Sequence, residues 1–340
     1  MAPIIDIHTH CTPRSREDPF GVAAIMRGTP AGKNTLLMYR GLPAIGHWEM
    51  GDFEFQQRAC AKAGLTGRIM SSPFTAEIVT AETPRPAIEV VKYGNDQIAA
   101  LIASAAKSPV ALWGMGTINP LDKSQIAEGE RCMGPLGFKG LLINSSWHGS
   151  FIDHEDSFPF WEWAQHKQVP LFIHPVRVPI GSDRQMDQYK LDEIVGRPFD
   201  TAMALARMIL SGLFDRFPRL KICVAHMGGG LLPVMGRLDF GWRLGDEGMP
   251  ERARMRCKEL PSSYLRHLHV DTMGFWAPHV REAVEVFGAG RVMFGTDYGP
   301  VPIDPQEHVD IVKGLGLSAE DTEKILWRNA AAFFNLGVTA

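Results

Sequence analysis

Short, almost continuous apolar runs alternate with longer amphipathic stretches along this chain. The eight apolar runs cover residues 3–8, 67–71, 112–118, 140–144, 170–174, 221–226, 268–272 and 291–295. Continuous apolar runs are typical of strands that are buried on both faces. The stretches between them predict helices over residues 53–63, 86–107, 122–134, 157–167, 200–216, 230–243, 278–288 and 318–335.

Alternation of strands and helices predicts a parallel sheet with crossover helices. Eight such units fit a closed (β/α)8 TIM barrel, which needs about 250 residues plus insertions. A doubly wound open sheet is the alternative. No Gly-x-Gly-x-x-Gly follows the first strand, which weakens a dinucleotide-binding version of that fold. We therefore predict one barrel domain over residues 1–340.

The length beyond a minimal barrel lies in three insertions, at residues 11–52, 175–199 and 243–264. The first is rich in Gly, Pro and Arg and follows the first strand, so it would lie over the mouth formed by the carboxyl ends of the strands. A passive surface loop is the alternative. Long loops without regular structure are usually functional or disordered, and we expect 11–52 to be a lid.

Composition narrows the class of protein. Hydrophobic residues make up 45% and charged residues 21%, as in soluble globular proteins. A net charge of −3 without a basic run argues against a nucleic-acid partner. No run approaches the ~20 apolar residues of a membrane span, and the first residues do not resemble a signal peptide. The five cysteines lack Cys-x-x-Cys spacing, so we expect free thiols and a cytoplasmic protein.

Histidines and one aspartate fall at the carboxyl ends of four predicted strands. His8 and His10 end the first, His174 the fifth, His226 the sixth and Asp297 the eighth. Alternate residues of a strand point to one side, so the first two should project together. A single histidine in such a place is more often a packed core residue than a ligand. Their joint placement at one mouth indicates a metal site.

Imidazole and carboxylate groups suit Zn²⁺ best, with Mn²⁺ as the alternative. A catalytic site of this kind keeps one coordination position open. The fourth strand ends in Asn144 and carries no Lys or Glu at its tip, while Lys139 lies at its other end. No bridging ligand is visible, so we expect one ion rather than two.

Several segments together resemble the amidohydrolase superfamily. They are IDIHTH at 5–10, FIHP at 172–175, LKICVAHMGGG at 220–230, PSSY at 261–264 with HVD at 269–271, and RVMFGTDY at 291–298. More narrowly, they are similar to the branch that contains 2-amino-3-carboxymuconate-6-semialdehyde decarboxylase and the non-oxidative aromatic acid decarboxylases. The resemblance implies that His8, His10, His174 and Asp297 are metal ligands. It implies that His226 is the catalytic base, with Asp297 sharing the proton.

The resemblance also suggests substrate-binding residues and a homodimer. Lys33 and Arg40 in the first insertion and Arg177 after the fifth strand are candidate cations for an acid group. Trp147 and His148 follow the fourth strand and are candidates for the pocket wall. In relatives, the segment that here holds Arg252, Arg254 and Arg256 approaches the partner subunit's site. A solvated surface role is the alternative for each arginine.

Two departures from the branch lie at the mouth and leave the substrate open. Gly299-Pro300 stands where Tyr-Pro-Phe is usual, and residues 47–50 read His-Trp-Glu-Met where Trp-Asp-Pro is typical.

The leading hypothesis is a metal-dependent decarboxylase of a small aromatic or unsaturated ring-cleavage acid. The alternative is a hydrolase of an amide, lactone or C–C bond, or a hydratase, that uses the same site. A metal-binding protein without catalysis is a third hypothesis, and the intact His226 argues against it.

Overall fold

The computed structural model describes residues 2–12, 35–39, 42–72, 87–177 and 179–339. The strands are β1 (Ile5–His10), β2 (Thr35–Tyr39), β3 (Leu42–Gly46), β4 (Gly67–Ser71), β5 (Ala111–Thr117), β6 (Gly140–Asn144), β7 (Ser146–Trp147), β8 (Ser150–Phe151), β9 (Pro170–His174), β10 (Lys221–Val224), β11 (Leu268–Asp271) and β12 (Val292–Met293). The α-helices are α1 (Phe53–Lys62), α2 (Ala87–Ser104), α3 (Ile126–Met133), α4 (Phe158–Lys167), α5 (Arg197–Leu210), α6 (Leu213–Arg216), α7 (Leu231–Leu244), α8 (Ala277–Phe287), α9 (Pro305–Lys313), α10 (Ala319–Glu323) and α11 (Asn329–Phe333).

Eight of these strands form one parallel sheet in the order β1, β4, β5, β6, β9, β10, β11, β12. The sheet closes because β1 bonds to the segment that follows β12. Ile7 N donates to Phe294 O at 3.0 Å, and Asp297 N donates to His8 O at 2.7 Å. The prediction of a (β/α)8 TIM barrel is confirmed, and the alternative of an open doubly wound sheet is wrong.

The barrel is filled by apolar side chains and closed at its amino end. The interior cluster contains residues from the strands or just after them, and residues from the last helical segment and the turn that follows it. They are Ile5, Ile7, Ile69, Met115, Leu142, Phe172, Cys223, Ala225 and Met293, and Trp327, Ala330, Phe333, Phe334 and Leu336. Lys221 Nζ at the start of β10 donates to Phe333 O at 2.7 Å and fastens that segment. A second cluster packs the strands against the surrounding helices. The polar strand ends therefore lie at the opposite, carboxyl end.

The helix and strand boundaries differ from the prediction in ways that local geometry explains. The helix predicted over 200–216 begins earlier, at Arg197, and breaks at Gly212, whose φ is +74°. The helix predicted over 318–335 contains a π-helical turn over Lys324–Arg328. Helix α9 was not predicted, although Asp304 accepts a hydrogen bond from Gln306 N and Pro305 is its first residue. Both are ordinary helix-start signals.

The insertion at 11–52 contains regular structure that its composition did not predict. β2 and β3 form an antiparallel hairpin, followed by a 3-10 turn over Trp48–Gly51. Thr12 N donates to Met50 O at 2.9 Å, so the two ends of the insertion are joined at the end of β1. Among the described residues, no helix combines the length and apolar character that a membrane crossing requires.

The tight packing of the barrel predicts opposite effects for two glycine substitutions. A Cβ on Gly140 would lie 2.8 Å from Pro170 O in the neighbouring strand, whereas a Cβ on Gly236 in α7 would meet nothing within 4 Å. We expect Gly140→Ala to lower the free energy of unfolding by about 1–3 kcal/mol. Gly236→Ala, the matched control, should raise it by about 0.5–1 kcal/mol. Urea denaturation measures both, and an unchanged midpoint for Gly140→Ala would contradict the packing described here.

Candidate metal centre

Four side chains converge at the carboxyl end of the barrel. His8 and His10 come from β1, His174 ends β9 and Asp297 follows β12. One potential ligand atom from each lies within 4.8 Å of all the others, and all four side chains are buried. Asp297 Oδ1 is 3.3 Å from Nε2 of His8 and 3.2 Å from Nε2 of His10. The structure thus brings together the four residues that the sequence predicts as metal ligands.

The outer ring nitrogens of the three histidines are held by the surrounding protein. His8 Nδ1 is 2.6 Å from Asp271 Oδ2, and His10 Nδ1 is 3.0 Å from Ser71 Oγ. His174 Nδ1 is 2.9 Å from Pro175 O, and since a carbonyl oxygen only accepts, this ring nitrogen carries the hydrogen. The lone pair of His174 is therefore on Nε2. Hydrogen bonds of this kind orient a histidine and fix its tautomer for metal binding.

This donor set fits a divalent cation. His8 Nε2 and Asp297 Oδ1 are buried, and neither has a hydrogen bond of normal geometry to any residue that the structure describes. Ligand atoms about 2.1 Å from one ion are separated by roughly 3 to 4 Å, the range of the distances between this carboxylate and the two rings. Three imidazole nitrogens with one carboxylate oxygen suit first-row divalent ions.

Electrostatics keep most of the donors in the protonation state that a metal requires. Burial would raise the pKa of Asp297, but the charge of His8 and the close approach of the neighbouring rings hold it well below its usual range. Burial lowers the pKa of His10 to about 4 and holds that of His174 well below its usual range. Burial also acts to lower the pKa of His8, but Asp297 and Asp271 outweigh it and raise the pKa to about 10. Binding of a metal by His8 would therefore release a proton.

His226 lies beside the four donors but is not one of them. Its Nε2 is 3.4 Å from Asp297 Oδ2, the carboxylate oxygen that does not face His8 and His10. His226 and Met227 have φ of +56° and +54°, an uncommon backbone conformation for residues other than glycine. Met227 N donates to Asp271 Oδ1 at 3.1 Å and stabilises this turn. The predicted base and the predicted ligand are therefore in contact.

Close packing also fixes the turn after His226. A Cβ on Gly229 would lie 2.2 Å from Pro198 O, so only glycine fits there. The turn is thereby held against the start of α5.

The carboxylate of Asp297 is positioned by a buried network around Asp6. Thr296 Oγ1 donates to Asp6 Oδ2 at 2.6 Å, and Thr296 N donates to Asp6 Oδ1 at 3.2 Å. Asp6 Oδ1 also accepts from His8 N at 3.0 Å. Asp297 itself has φ of +55°. One buried aspartate therefore aligns the backbones that carry two of the four donors.

The structure describes some of the residues predicted to bind substrate and not others. Lys33 and Arg40 lie outside the described residues. Arg177 is buried and forms an ion pair with Asp192, with Nη1 2.9 Å from Oδ2. Its charge is therefore partly balanced by the protein itself.

Trp147 and His148 follow β6 closely, yet they differ in exposure. Trp147 is 3% exposed, and its Nε1 has no hydrogen-bond partner among the described residues. His148 is exposed at the turn between β7 and β8, with φ of +49°. Of the two, Trp147 is the one enclosed within the fold.

Two residues near the centre were not identified from the sequence. Asp271 bonds to His8 and ends β11, so the same search at strand ends would have found it. Arg197 lies close enough to His174 for its charge to contribute to the lowered pKa of that ring. It was missed because α5 begins three residues before the predicted start.

The contact between Asp271 and His8 predicts that a substitution of Asp271 lowers metal affinity. Asp271→Asn should weaken Mn²⁺ binding about 10- to 100-fold, because the carboxylate that orients His8 is lost. Competition with a chelator measures the affinity. His226→Ala is the matched control and should retain it, since this ring lies outside the four donors. Wild-type affinity in Asp271→Asn would contradict the role of this contact.

Comparisons with known proteins agree with this geometry. The model of the amidohydrolase family matches residues 5–336. The chain is 31% identical over 256 residues to the 2-amino-3-carboxymuconate-6-semialdehyde decarboxylase of Dictyostelium discoideum, covering 74% of this chain and 68% of that protein. It is 30% identical over 288 residues to the gamma-resorcylate decarboxylase of Polaromonas sp. JS666, covering 80% and 84%.

A solved structure extends the likeness to the whole chain. A dihydroxybenzoic acid decarboxylase from Polaromonas sp. JS666, with bound manganese and the inhibitor 2-nitroresorcinol, superposes with a TM-score of 0.77. It is 26% identical, and the match covers 100% of this chain and 98% of that one. The chain therefore belongs to the amidohydrolase family, and its barrel and the donors at its strand ends agree with this conclusion.

Proposed function

We propose that this protein is a metal-dependent, non-oxidative decarboxylase of a small aromatic or unsaturated ring-cleavage carboxylic acid. The observation that carries the proposal is the 3.4 Å contact between His226 Nε2 and Asp297 Oδ2. This contact supports a role for His226 as a proton carrier beside a donor set that fits a divalent ion. The relatives whose names describe decarboxylases of conjugated acids support the choice of reaction.

The reaction needs a proton and a sink for electrons. The bond between the ring carbon and the carboxylate breaks, carbon dioxide leaves, and the electron pair stays on carbon, where a proton replaces the lost group. A conjugated substrate delocalises that pair. His226 and Asp297 hold the proton at Nε2 and Oδ2 and deliver it to carbon, after which solvent restores it. A bound divalent ion would supply Lewis acidity toward the oxygen atoms of the substrate.

The donor set fits a divalent metal, and the finer identity is part of the proposal. Three imidazoles and one carboxylate favour Zn²⁺, with Mn²⁺ as the alternative. Manganese is the ion in the structure of the Polaromonas decarboxylase. We propose one ion per chain, because Asn144 stands where a bridging ligand would be needed.

A carboxylic acid substrate needs a cation at the mouth. Arg177 is engaged by Asp192. The charge of Arg197 contributes to the lowered pKa of His174, and Pro198 O lies against the turn after His226. We propose that Arg177 and Arg197 attract the acid group, and Lys33 and Arg40 stay predictions.

The insertion at 11–52 is proposed as a lid on a single barrel domain that spans 1–340. Two observations support the lid. The bond between Thr12 and Met50 fixes both ends of the insertion beside His10. His47, near its end, lies close enough to Glu193 and Lys190 for their charges to affect its pKa, which burial lowers. The described end of the insertion at His47 is thus near the segment after β9.

The cytoplasm is the proposed compartment. All five cysteines are described by the structure, all are buried, and none forms a disulfide. Unpaired thiols are usual for proteins of a reducing compartment.

A homodimer is also proposed, with the faces of α5 and α7 as the contact. Large apolar side chains are exposed there, including Phe199 (54%), Phe240 (62%) and Leu244 (68%). Exposed apolar patches of this kind often mark protein interfaces.

Sedimentation equilibrium tests the proposed dimer. We expect twice the mass of the chain for the wild type and for Val286→Glu, a matched control on α8, where Val286 is also exposed. Phe240→Glu with Leu244→Glu should give a monomer, because charge at the contact is costly to bury. A monomeric wild type would contradict the proposal.

The reaction itself is tested by carbon dioxide release from hydroxybenzoates and carboxymuconate semialdehydes. We expect at least one of these acids to be turned over by the metal-loaded protein. His226→Ala should lower kcat about 10²- to 10⁴-fold while metal content is retained, because a positioned proton carrier is lost. Turnover of an amide or lactone without any release of carbon dioxide would contradict the proposed function. Wild-type turnover in His226→Ala would contradict the proton role alone.

A further inference from the structure

Asn144 lies on the inner face of the barrel beside a predicted metal ligand. It ends β6, and its Cα pairs across the strands with that of His174. Two residues earlier, Leu142 pairs with Phe172, and both side chains belong to the interior cluster. Alternate residues of a strand share a side. The side chain of Asn144 therefore faces the barrel axis at the level of His174.

The amide of Asn144 is buried without partners. The residue is 1% exposed, and neither Oδ1 nor Nδ2 has a hydrogen bond to any residue that the structure describes. Buried amides in native proteins are almost always hydrogen-bonded, because desolvation without a partner is unfavourable. An exception at the mouth of a barrel indicates that the partner comes from outside the protein.

The residues after Asn144 hold it in place without satisfying it. Ser145 Oγ and Ser146 Oγ lie 2.5 and 3.3 Å from Asp200 Oδ2, and Asp200 Oδ1 accepts from Ile180 N at 2.8 Å. Ser145 N donates to His174 O at 2.8 Å. Both hydroxyls are therefore committed to Asp200, while the backbone stays fixed against β9.

Two other buried groups of the described residues are in the same condition, one of them shortly after Asn144 along the chain. Trp147 Nε1 and His226 Nδ1 have no hydrogen-bond partner among the described residues. The indole can only donate, whereas an amide both donates and accepts. Asn144 therefore complements a group that also does both, which a hydroxyl does and a carboxylate does not.

We propose that Asn144 is a substrate-binding residue that hydrogen-bonds to a ring hydroxyl of the acid. The inference rests on the proposed decarboxylase function and deepens it. Nδ2 donates to the hydroxyl oxygen and Oδ1 accepts its hydrogen. The contact requires no change in the predicted ligands, because Asn144 stands beside His174 rather than in its place.

Removing the Asn144 amide and removing the ring hydroxyl of the substrate should each abolish the same hydrogen bond. We would measure kcat/KM of the Mn²⁺-loaded protein for 2,6-dihydroxybenzoate, and the affinity for benzoate, which has no ring hydroxyl, from its inhibition of that reaction. Asn144→Leu, close in volume to the wild type, should lose roughly 10- to 100-fold on the first acid, mainly through KM. Its affinity for the second should fall less than about threefold, because the bond is already absent. Ser146→Ala, in the same loop, should not change the ratio between the two acids.

An equal loss on both acids, or no loss on either, would overturn the assignment and leave Asn144 with a structural role. Binding of 2-nitroresorcinol and of nitrobenzene, which has no hydroxyl, separates this result from failure of the proposed function when it is measured by calorimetry on the Mn²⁺-loaded protein. If no acid releases carbon dioxide but Asn144→Leu weakens 2-nitroresorcinol selectively, the decarboxylase function fails and the hydroxyl contact stands. If it weakens neither probe, or both equally, the contact is wrong whatever the reaction.

Discussion

The centre depends on the seam where β1 meets the segment after β12. Asp297 N donates to His8 O, and His10 N donates to Tyr298 O at 2.9 Å, so the backbone that closes the barrel also sets the distance between donors. Asp6 fastens the same seam through Thr296. Because the carboxylate belongs to one side of this seam and two imidazoles to the other, barrel closure and assembly of the donors are one event.

Outside the donors, carboxylates do most of the positioning. Asp271 bonds to the ring of His8 with one oxygen and to the backbone of Met227 with the other, so the same residue orients a ligand and the turn that carries His226. Asp200 has a similar role after β6, where it accepts hydrogen bonds from Ser145 and Ser146. Charged groups in these buried places are costly unless every oxygen finds donors. Their hydrogen bonds therefore hold the loops at the mouth of the barrel in fixed positions.

The sequence predicted the fold and the convergence of four side chains at the mouth because both follow from short-range patterns. Apolar runs mark buried strands, and the residue that ends each run falls at the mouth, which is how His174 and Asp297 were found. Asp271 obeys the same rule and was overlooked. Arg197 escaped because helix starts are poorly marked by periodicity, and here a π-helical turn over Asp192–Gly196 precedes it. The lack of hydrogen bonds at the Asn144 amide could not be predicted from the neighbouring residues in the sequence. It depends on which atoms other loops bring close to the amide.

The seam between β1 and the segment after β12 can form only late in the synthesis of the chain. Asp6 and Thr296 are 290 residues apart, so at about 5 to 20 residues per second the ribosome produces the second partner roughly 15 to 60 s after the first. Throughout that interval β1 has an unpaired edge, and such edges promote association with other chains. The hydrophobic strand that carries two histidines is thus open to such association for most of the synthesis of the chain.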